Sequence, residues 1–391
     1  MNPRPPPRRP HWSWRSRAAR GVLYQAVAVG AVGLGVWWLA HNTLANLHAR
    51  GIQSGFDFLG SAAGFEIGET PISFSPGDSY AKAIWIGLLN TIRVALIGIV
   101  LTTVVGVALG VGRFSRNALV RGLCYVYVEV FRNVPLLLQL LMWYLLFVDV
   151  LPPPHAAWSV AGGVYLSKGG LAFPVPAWSA GHLWALFGAG AGLAAGWTWR
   201  RWAQRRFERT GQEHDRLWLP VLAVVLCAGL GWWAGAPGEW NVPEQLAFAV
   251  DGGASATPEF LALLLGLVLY TAAFVAEVVR SGIQSVDRGQ VEAARALGLS
   301  PRLQMRLVVL PLALRVIVPP LTNQYLNLTK NSSLAVAIGY PDVVSIANTT
   351  LNQSGRAVEC IAIIMAVYLT TSLATSVCMN WYNRRVAITE R

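Results

Sequence analysis

The sequence predicts an all-α integral membrane protein with about eight transmembrane helices. Its 391 residues are 54% hydrophobic and 13% charged, whereas soluble proteins carry about 25% charged residues. Several uncharged apolar stretches reach about the 20 residues that a helix needs to cross a bilayer. This composition excludes a soluble globular domain.

The chain opens with a basic tail and one apolar stretch. Residues 1–20 are rich in Pro and Arg and lack apolar periodicity, so we expect a disordered cytoplasmic tail. Within residues 21–82, an uncharged stretch at 21–40 predicts the first transmembrane helix, because a signal peptide would have a shorter apolar region of about 7 to 15 residues. The polar remainder of this segment predicts an external loop.

Residues 83–150 contain a long apolar stretch followed by YVYVEVFRNVPLLLQLLMWYLLFVDVLP. Glu129 and Arg132 lie three residues apart in it, and we predict a structural ion pair between them. A direct contact with substrate is the alternative, and the pair lies either in the helix bundle or at the cytoplasmic interface. Pro135 removes a backbone donor, so we expect the helix to kink or restart there.

Residues 151–258 are predicted to add two transmembrane helices. Apolar stretches at 183–199 and 217–234 flank an arginine-rich tip, which is typical of a helical hairpin. Tryptophans lie near the ends of both stretches, as in an aromatic belt. The hairpin is expected to be a scaffold, with contact to lipid or to another subunit as the alternative. The sequences on either side predict external loops.

A polar segment at residues 280–311 separates two apolar stretches. Ala293 and Ala294 are small and would let another protein approach the helix backbone closely. Gly298 tolerates the left-handed conformation that ends a helix, and Pro301 after Ser300 suits a first helical turn. The segment therefore predicts a short helix, a turn and a second helix.

Two motifs in these segments resemble those of a known protein family. The positions that match the EAA loop of the membrane-spanning subunits of ABC importers are Glu292, Ala293, Ala294, Gly298, Leu310 and Pro311. The stretch FRNVPLLLQL resembles a segment of the histidine-type polar amino-acid permeases. The long insert resembles that of their general L-amino-acid subfamily.

The resemblance implies a type I (MetI-like) permease core in two parts, residues 83–150 and 259–385, with a cytoplasmic tail at 386–391. It also implies that the loop at 280–311 is the coupling helix, which docks in a cleft of a separate ATPase subunit. The residues implied in this coupling are Glu292, Ala293, Ala294, Gly298, Ser300 and Pro301.

A polar stripe follows on the next predicted helix. Its members are Asn323, Asn327, Lys330 and Asn331, which share one helix face. Such a stripe would be costly against lipid, so we expect it to line a substrate pathway, where amide and ammonium groups can bind a zwitterionic amino acid. Hydrogen bonding at a dimer interface stays open as the alternative.

The distribution of Lys and Arg predicts the orientation. They are concentrated in the N-terminal tail, the connection at 113–121, the hairpin tip and the loop at 280–311. The positive-inside rule places these segments and both termini in the cytoplasm. The sequence pI of about 10.0 therefore requires no nucleic-acid partner. The resemblance implies the inner (plasma) membrane of a bacterium.

The sequence lacks a G-x-x-x-x-G-K motif followed by Ser or Thr, so we expect no cofactor in this chain, and ATP and Mg²⁺ would be bound by the ATPase. It also lacks catalytic and metal-binding motifs, which argues against an enzyme. The resemblance implies a permease subunit for uptake of L-amino acids. Its implied partners are a second homologous permease, two ATPase subunits, a periplasmic amino-acid-binding protein and membrane lipid.

Two other function classes stay open at this point. An ion-coupled secondary transporter would also have many spans, although it would usually show two related halves. A membrane-embedded enzyme would need clustered carboxylates or histidines, whereas the six histidines are scattered.

Overall fold

The computed structural model describes residues 17–49, 54–177, 179, 181–211, 218–235, 238, 240–246 and 248–386. Most of both predicted tails lies outside these ranges. The helices are α1 (Arg17–Ala49), α2 (Tyr80–Gly112), α3 (Ala118–Asn133), α4 (Leu136–Leu145), α5 (Gly181–Thr210), α6 (Trp218–Gly235), α7 (Pro258–Gln284), α8 (Arg288–Ala296), α9 (Pro301–Gln304), α10 (Leu310–Asn331), α11 (Val343–Ser354) and α12 (Ala357–Val386).

The described ranges contain six helices that are long and apolar enough to cross a membrane, or seven if the bent pair α3–α4 counts as one span. The prediction of a helical protein with several transmembrane spans is therefore confirmed, whereas the predicted count of eight spans is not confirmed. The difference lies in α5, which contains the stretch predicted to span at 183–199. Its glycines, tryptophans and arginines make α5 less apolar than the other long helices.

The chain restarts rather than kinks at Pro135. α3 ends at Asn133, and α4 leaves it at an angle of 103°. Carbonyl oxygens beside the break lose their helical partners, and the buried side chain of Gln139 replaces them. Its Nε2 donates to the carbonyl oxygens of Phe131 (3.0 Å) and Val134 (2.9 Å). A side chain therefore satisfies backbone groups that the proline leaves unpaired.

The predicted ion pair between Glu129 and Arg132 does not form within the described chain. The Arg132 guanidinium instead lies over the ring of Phe274 on α7, 5.3 Å from its centroid. Glu129 Oε2 accepts a hydrogen bond from Asn133 Nδ2 at 3.4 Å. A cation over an aromatic ring is a favourable contact, and this one joins α3 to α7, which spacing along one helix cannot reveal.

Short strands occupy the parts of the insert that were predicted as external loops, within a chain that is mostly helical, as predicted. The strands are β1 (Trp158–Ala161), β2 (Val164–Ser167), β3 (Gly170–Phe173), β4 (Val175–Pro176), β5 (Trp240–Asn241), β6 (Glu244–Gln245), β7 (Val250–Asp251) and β8 (Ala254–Ala256). An antiparallel sheet has the order β1-β2-β3-β8, and β4–β5 and β6–β7 form two-stranded ribbons. The pairing of β3 with β8 joins the two ends of the insert, which local sequence signals do not encode.

The predicted helical hairpin is formed by α5 and α6. Glycines allow the two backbones to approach closely, because a Cβ at Gly192 would lie 2.5 Å from Val224 Cα and one at Gly188 would lie 2.1 Å from the Cys227 carbonyl oxygen. Among the described elements, neither helix packs extensively on a helix of the core. The hairpin therefore depends mainly on its own interface.

The described chain divides into two compact units, Met1–Asn90 with Val343–Thr371 and Thr91–Asp342 with Ser372–Arg391. In the first, a core contains Phe58, Tyr80 and Ile346, and Arg356 Nη2 lies 3.1 Å from Asp57 Oδ2. This unit includes α11, whose 12 residues are too few to span a bilayer.

In the second unit, α7 packs on α2, α4 and α10. Val275, Val279, Ile317 and Leu321 form a buried cluster between α7 and α10. Two glycines of α2 provide the closest approach to α7. A Cβ at Gly106 would lie 2.5 Å from Val275 Cγ1, and one at Gly110 would lie 2.8 Å from the Ala276 carbonyl oxygen.

Candidate functional site

The segment at 280–311 has the helix–turn–helix form predicted from its sequence. α8 begins after Asp287, whose Oδ1 accepts a hydrogen bond from the Gly289 backbone amide at 2.6 Å. Such a side-chain cap satisfies one of the free amide groups at a helix start. The negative charge of the carboxylate also interacts favourably with the positive end of the helix dipole.

α8 ends in a Schellman motif. Leu299 donates its amide to the Ala294 carbonyl at 3.2 Å, and Gly298 donates to the Arg295 carbonyl at 2.9 Å. Gly298 has a φ of +74°, the left-handed conformation that the sequence predicts for it. This pair of bonds fixes the direction in which the chain leaves α8.

The second helix is held to the turn by Gln304. Ser300 occupies the N-cap and Pro301 the first turn of α9, in agreement with the prediction. Gln304 is buried, and its Nε2 donates to the Leu299 carbonyl at 2.7 Å. A π-helical turn, Met305–Val309, then leads into α10. Sequence reasoning missed Gln304, because its partner is a backbone carbonyl rather than a side chain.

The two alanines of the segment face opposite ways. Ala293 is exposed beside Glu292, whereas Ala294 is 3% exposed and packs against its own chain. The side chain of Leu297, at the end of α8, is 80% exposed. The exposed surface of α8 thus carries a carboxylate, small residues and charged side chains, among them Arg288 and Arg295, with the apolar side chain of Leu297 at its end.

An ion-pair network lies close to the start of this segment. Glu277 Oε2 accepts from Arg113 Nη1 at 2.6 Å, and both carboxylate oxygens accept from Arg280 Nε at 3.1 Å. Arg280 also donates to Gln284. The network joins the end of α2 to the end of α7, immediately before α8. The spacing that suggested a pair for Glu129 and Arg132 also holds for Glu277 and Arg280, so the local part was predictable.

The polar stripe lies on one face of α10, as its spacing predicts. Asn323, Asn327 and Lys330 are exposed and Asn331 is partly buried. Within the described chain, no hydrogen bond or ion pair uses their side chains. The stripe therefore presents unused donors and acceptors to whatever borders this face.

The structure does not bring the stripe and α8 together. The stripe lies in the later part of one helical run, Pro301–Ile338, and α8 lies just before the start of that run. At a rise of about 1.5 Å per residue, Asn323 lies roughly 30 Å along the axis from the turn. The segment around α8 and the polar face of α10 are therefore separate surfaces at the two ends of one helical run.

Comparison with known proteins gives consistent matches over nearly the whole chain. A family model described as "Binding-protein-dependent transport system inner membrane component" matches residues 102–388. The chain is 46% identical over 392 residues to the general L-amino acid transport system permease protein AapQ of Rhizobium johnstonii, covering 97% of this chain and 96% of the relative.

Two further relatives match over similar lengths. The putative amino-acid ABC transporter permease protein YhdX of Escherichia coli is 46% identical over 384 residues, with 97% of each chain covered. The glutamate/glutamine/aspartate/asparagine transport system permease protein BztB of Rhodobacter capsulatus is 39% identical over 411 residues, with 95% of each chain covered.

Proposed function

We propose a role in the uptake of L-amino acids for this chain, which belongs to the family of binding-protein-dependent transport system inner membrane components. Membership confirms the resemblance seen in the motifs, and it makes the chain a membrane-spanning transport subunit rather than an enzyme. The substrate class rests on relatives that match along nearly their full length and are named as amino-acid permeases.

The observation that carries the proposed mechanism is the capped, exposed helix α8. Its start is capped by Asp287 and its end by the Schellman motif, so its outer face is presented in a fixed orientation. In our proposal Glu292, Ala293, Gly298, Ser300 and Pro301 contact a cleft of an ATPase subunit. Ala294 is buried and packs α8 against the rest of this chain.

We further propose the composition of the complex. Membership of the family implies an ATPase and a substrate-binding protein as partners, and we propose two ATPase subunits, a second homologous permease and a periplasmic amino-acid-binding protein. ATP and Mg²⁺ would be bound by the ATPase subunits. Closure of the ATPase dimer would move the docked α8 helices together and switch the spans from inward- to outward-facing.

The location follows from the same proposal. The chain is a multi-pass membrane subunit, and we assign it to the bacterial inner membrane with both termini in the cytoplasm, which requires α5 to cross the membrane in addition to the other spans. The concentration of Lys and Arg in the segments expected inside supports this orientation.

The stripe on α10 is proposed to border the substrate pathway. Asn323, Asn327 and Asn331 offer donors and acceptors, and Lys330 adds a cation that pairs with a carboxylate. Their exposure in the single chain fits a cavity shared with the second permease.

Reconstitution tests the proposal. The chain is purified with its co-purifying partners and placed in proteoliposomes with ATP on the cytoplasmic side. We expect uptake of labelled L-amino acids that requires both ATP and a loaded binding protein. Uptake driven by a proton gradient with no ATPase present would instead establish the ion-coupled alternative and overturn the proposal.

A further inference from the structure

A buried hydrogen bond joins α10 to α2 behind the polar stripe. Tyr325 on α10 is 8% exposed, and its hydroxyl oxygen lies 2.8 Å from Thr103 Oγ1 on α2. Thr103 Oγ1 also lies 2.6 Å from the Ile99 carbonyl oxygen. Three oxygen atoms from two helices are thus connected by two successive hydrogen bonds.

The positions of the protons follow from these two contacts. A carbonyl oxygen only accepts, so the single proton of the Thr103 hydroxyl lies in the bond to Ile99. The bond between the two hydroxyl groups must then use the proton of Tyr325, which donates to Thr103 Oγ1. Tyr325 therefore depends on Thr103 as its acceptor, whereas Thr103 keeps a partner in its own helix when Tyr325 is replaced.

Tyr325 lies on the opposite face of α10 from the stripe. Successive residues of an α-helix are about 100° apart, so Asn323 and Asn327 each lie about 160° from Tyr325. Leu321 and Leu328, on the same side as Tyr325, are also buried. A rotation of α10 at Tyr325 would therefore turn the amide groups of the stripe by the same angle.

Two prolines separate the stripe from the first part of α10. Pro319 and Pro320 lie inside the helix, and neither has a backbone N–H to donate to the carbonyl groups of Arg315 and Val316. The backbone ladder therefore lacks two successive bonds there. It constrains the rotation of the second part of α10 less than an unbroken ladder would.

Contacts with neighbouring helices supply the remaining constraint. Leu328 packs beside Gly98 of α2, where an added Cβ would lie 3.2 Å from Leu328 Cδ2. Hydrophobic attraction is not directional, whereas a hydrogen bond depends on angle as well as distance. Within the described chain, Tyr325 is the residue between Leu321 and Asn331 whose side chain forms a hydrogen bond with another helix.

We propose that Tyr325 is a positioning residue for transport, because its hydrogen bond to Thr103 sets the rotation of α10 and directs the polar stripe toward the substrate pathway. Tyr325 itself is buried on the far side of the helix, so it acts through the stripe rather than by contact with substrate. The effect on uptake rests on the proposed function of the stripe, whereas the effect on the orientation of the stripe does not.

The orientation is measured by thiol labelling of the co-purified complex, without transport. Asn327→Cys is introduced into a chain whose four native cysteines are replaced by Ala. Its reaction with a water-soluble maleimide is followed on this chain after separation from its partners. Thr103→Val leaves the buried Tyr325 hydroxyl unpaired, so labelling should slow about tenfold, equivalent to about 1.4 kcal/mol.

Tyr325→Phe should have the smaller effect, because Thr103 keeps its bond to Ile99. We expect labelling to slow by up to about threefold, equivalent to the roughly 0.6 kcal/mol of an average hydrogen bond between transmembrane helices. The double variant Tyr325→Phe with Thr103→Val contains no unpaired donor, so it should resemble Tyr325→Phe alone. Thr103→Ser keeps the hydroxyl and should preserve the labelling rate of the reference chain.

Tyr127→Phe is the matched control. The Tyr127 hydroxyl donates to the Leu269 carbonyl at 2.8 Å and joins α3 to α7, so the variant loses a hydrogen bond between helices that does not involve α10. Its unfolding temperature should fall as much as that of Tyr325→Phe, while the labelling of Asn327→Cys stays unchanged.

Uptake in proteoliposomes gives the second readout. In chains that keep Asn327 and the native cysteines, Thr103→Val should raise the apparent KM for L-amino acids about tenfold. The maximal rate of uptake and the amount of assembled complex should stay unchanged, whereas a purely structural defect would lower both.

Three results would overturn the proposal. The first is unchanged labelling in both Thr103→Val and Tyr325→Phe, and the second is an equal change in Tyr127→Phe, which would indicate general loosening of the bundle. The third is a double variant more strongly affected than Thr103→Val, which would show that the two hydroxyl groups act independently. Slower labelling with an unchanged KM would confirm the orienting role of Tyr325 and overturn the substrate role proposed for the stripe.

Discussion

Arg113 Nη1, at the end of α2, lies 2.6 Å from Glu277 Oε2 on α7, although 164 residues separate the two residues in sequence. Arg280 Nε donates to both oxygens of the same carboxylate at 3.1 Å. Glu277 is therefore the point at which two long helices meet, just before the chain enters α8. The junction therefore ties the end of α2 to the end of α7 directly before α8.

Replacing Glu277 by Gln should weaken the junction. The amide cannot balance two guanidinium groups, so we expect a loss of about 2 kcal/mol in the free energy of unfolding and weaker coupling of ATP hydrolysis to uptake. Thermal unfolding of the purified complex and uptake in proteoliposomes measure the two effects. Glu259→Gln, at the opposite end of α7, is the matched control. Equal behaviour of the two variants would show that the junction has no special role.

Gly298 should tolerate Asn better than Ala. Nothing lies within 4 Å of a Cβ added there, so the cost is the left-handed conformation alone, about 1 to 2 kcal/mol for an ordinary L-residue. Asn adopts this conformation more readily. Gly298→Asp, close in shape to Asn, adds a charge at the docking surface, and we expect it to lower uptake about tenfold, equivalent to about 1.4 kcal/mol. Normal uptake by this variant at a normal membrane level would contradict the docking role.

The two alanines of α8 should respond differently to the same enlargement. Ala293→Trp projects from the exposed face, so we expect normal insertion and unfolding temperature but loss of uptake and of ATPase association. Ala294→Trp enlarges a buried position and should destabilise the chain by about 1 to 3 kcal/mol. Co-purification of the ATPase and thermal unfolding separate the effects. Retained ATPase binding in Ala293→Trp would place the docking surface elsewhere.

The stripe on α10 is tested by Asn327→Leu. If it borders the substrate pathway, the apparent KM for L-amino acids should rise about tenfold while the complex stays assembled, because a binding group of about 1.4 kcal/mol is lost. Gln324→Leu, on the same helix outside the stripe, is the control. Dissociation of the second permease in Asn327→Leu would support the dimer-interface alternative instead.

The parts that sequence analysis predicted are those set by local chemistry. Gly298, Ser300 and Pro301 specify the turn after α8 through their own conformational preferences, and Pro135 specifies the helix break. The spacing of Asn323, Asn327 and Lys330 specifies a face of α10 without reference to any other element. Each of these signals lies within a few residues of its effect.

The parts that were wrong or missed depend on contacts between distant segments. Arg132 has Glu129 within reach, yet it lies over Phe274, which the sequence places far along the chain. β3 and β8 pair across the whole hairpin insert, and neither strand exceeds four residues. Arg113 gives no local sign of its pairing with Glu277. Where a side chain has several possible partners, the tertiary fold determines which of them it contacts.

The close approach of Gly106 and Gly110 to α7 has a mechanical consequence. With Val275, the Ala276 carbonyl and Val279 set against these two glycines, α2 and α7 interlock over two turns, and axial slip would drive side chains into backbone. The contact therefore opposes sliding of α2 along α7 at these two glycines.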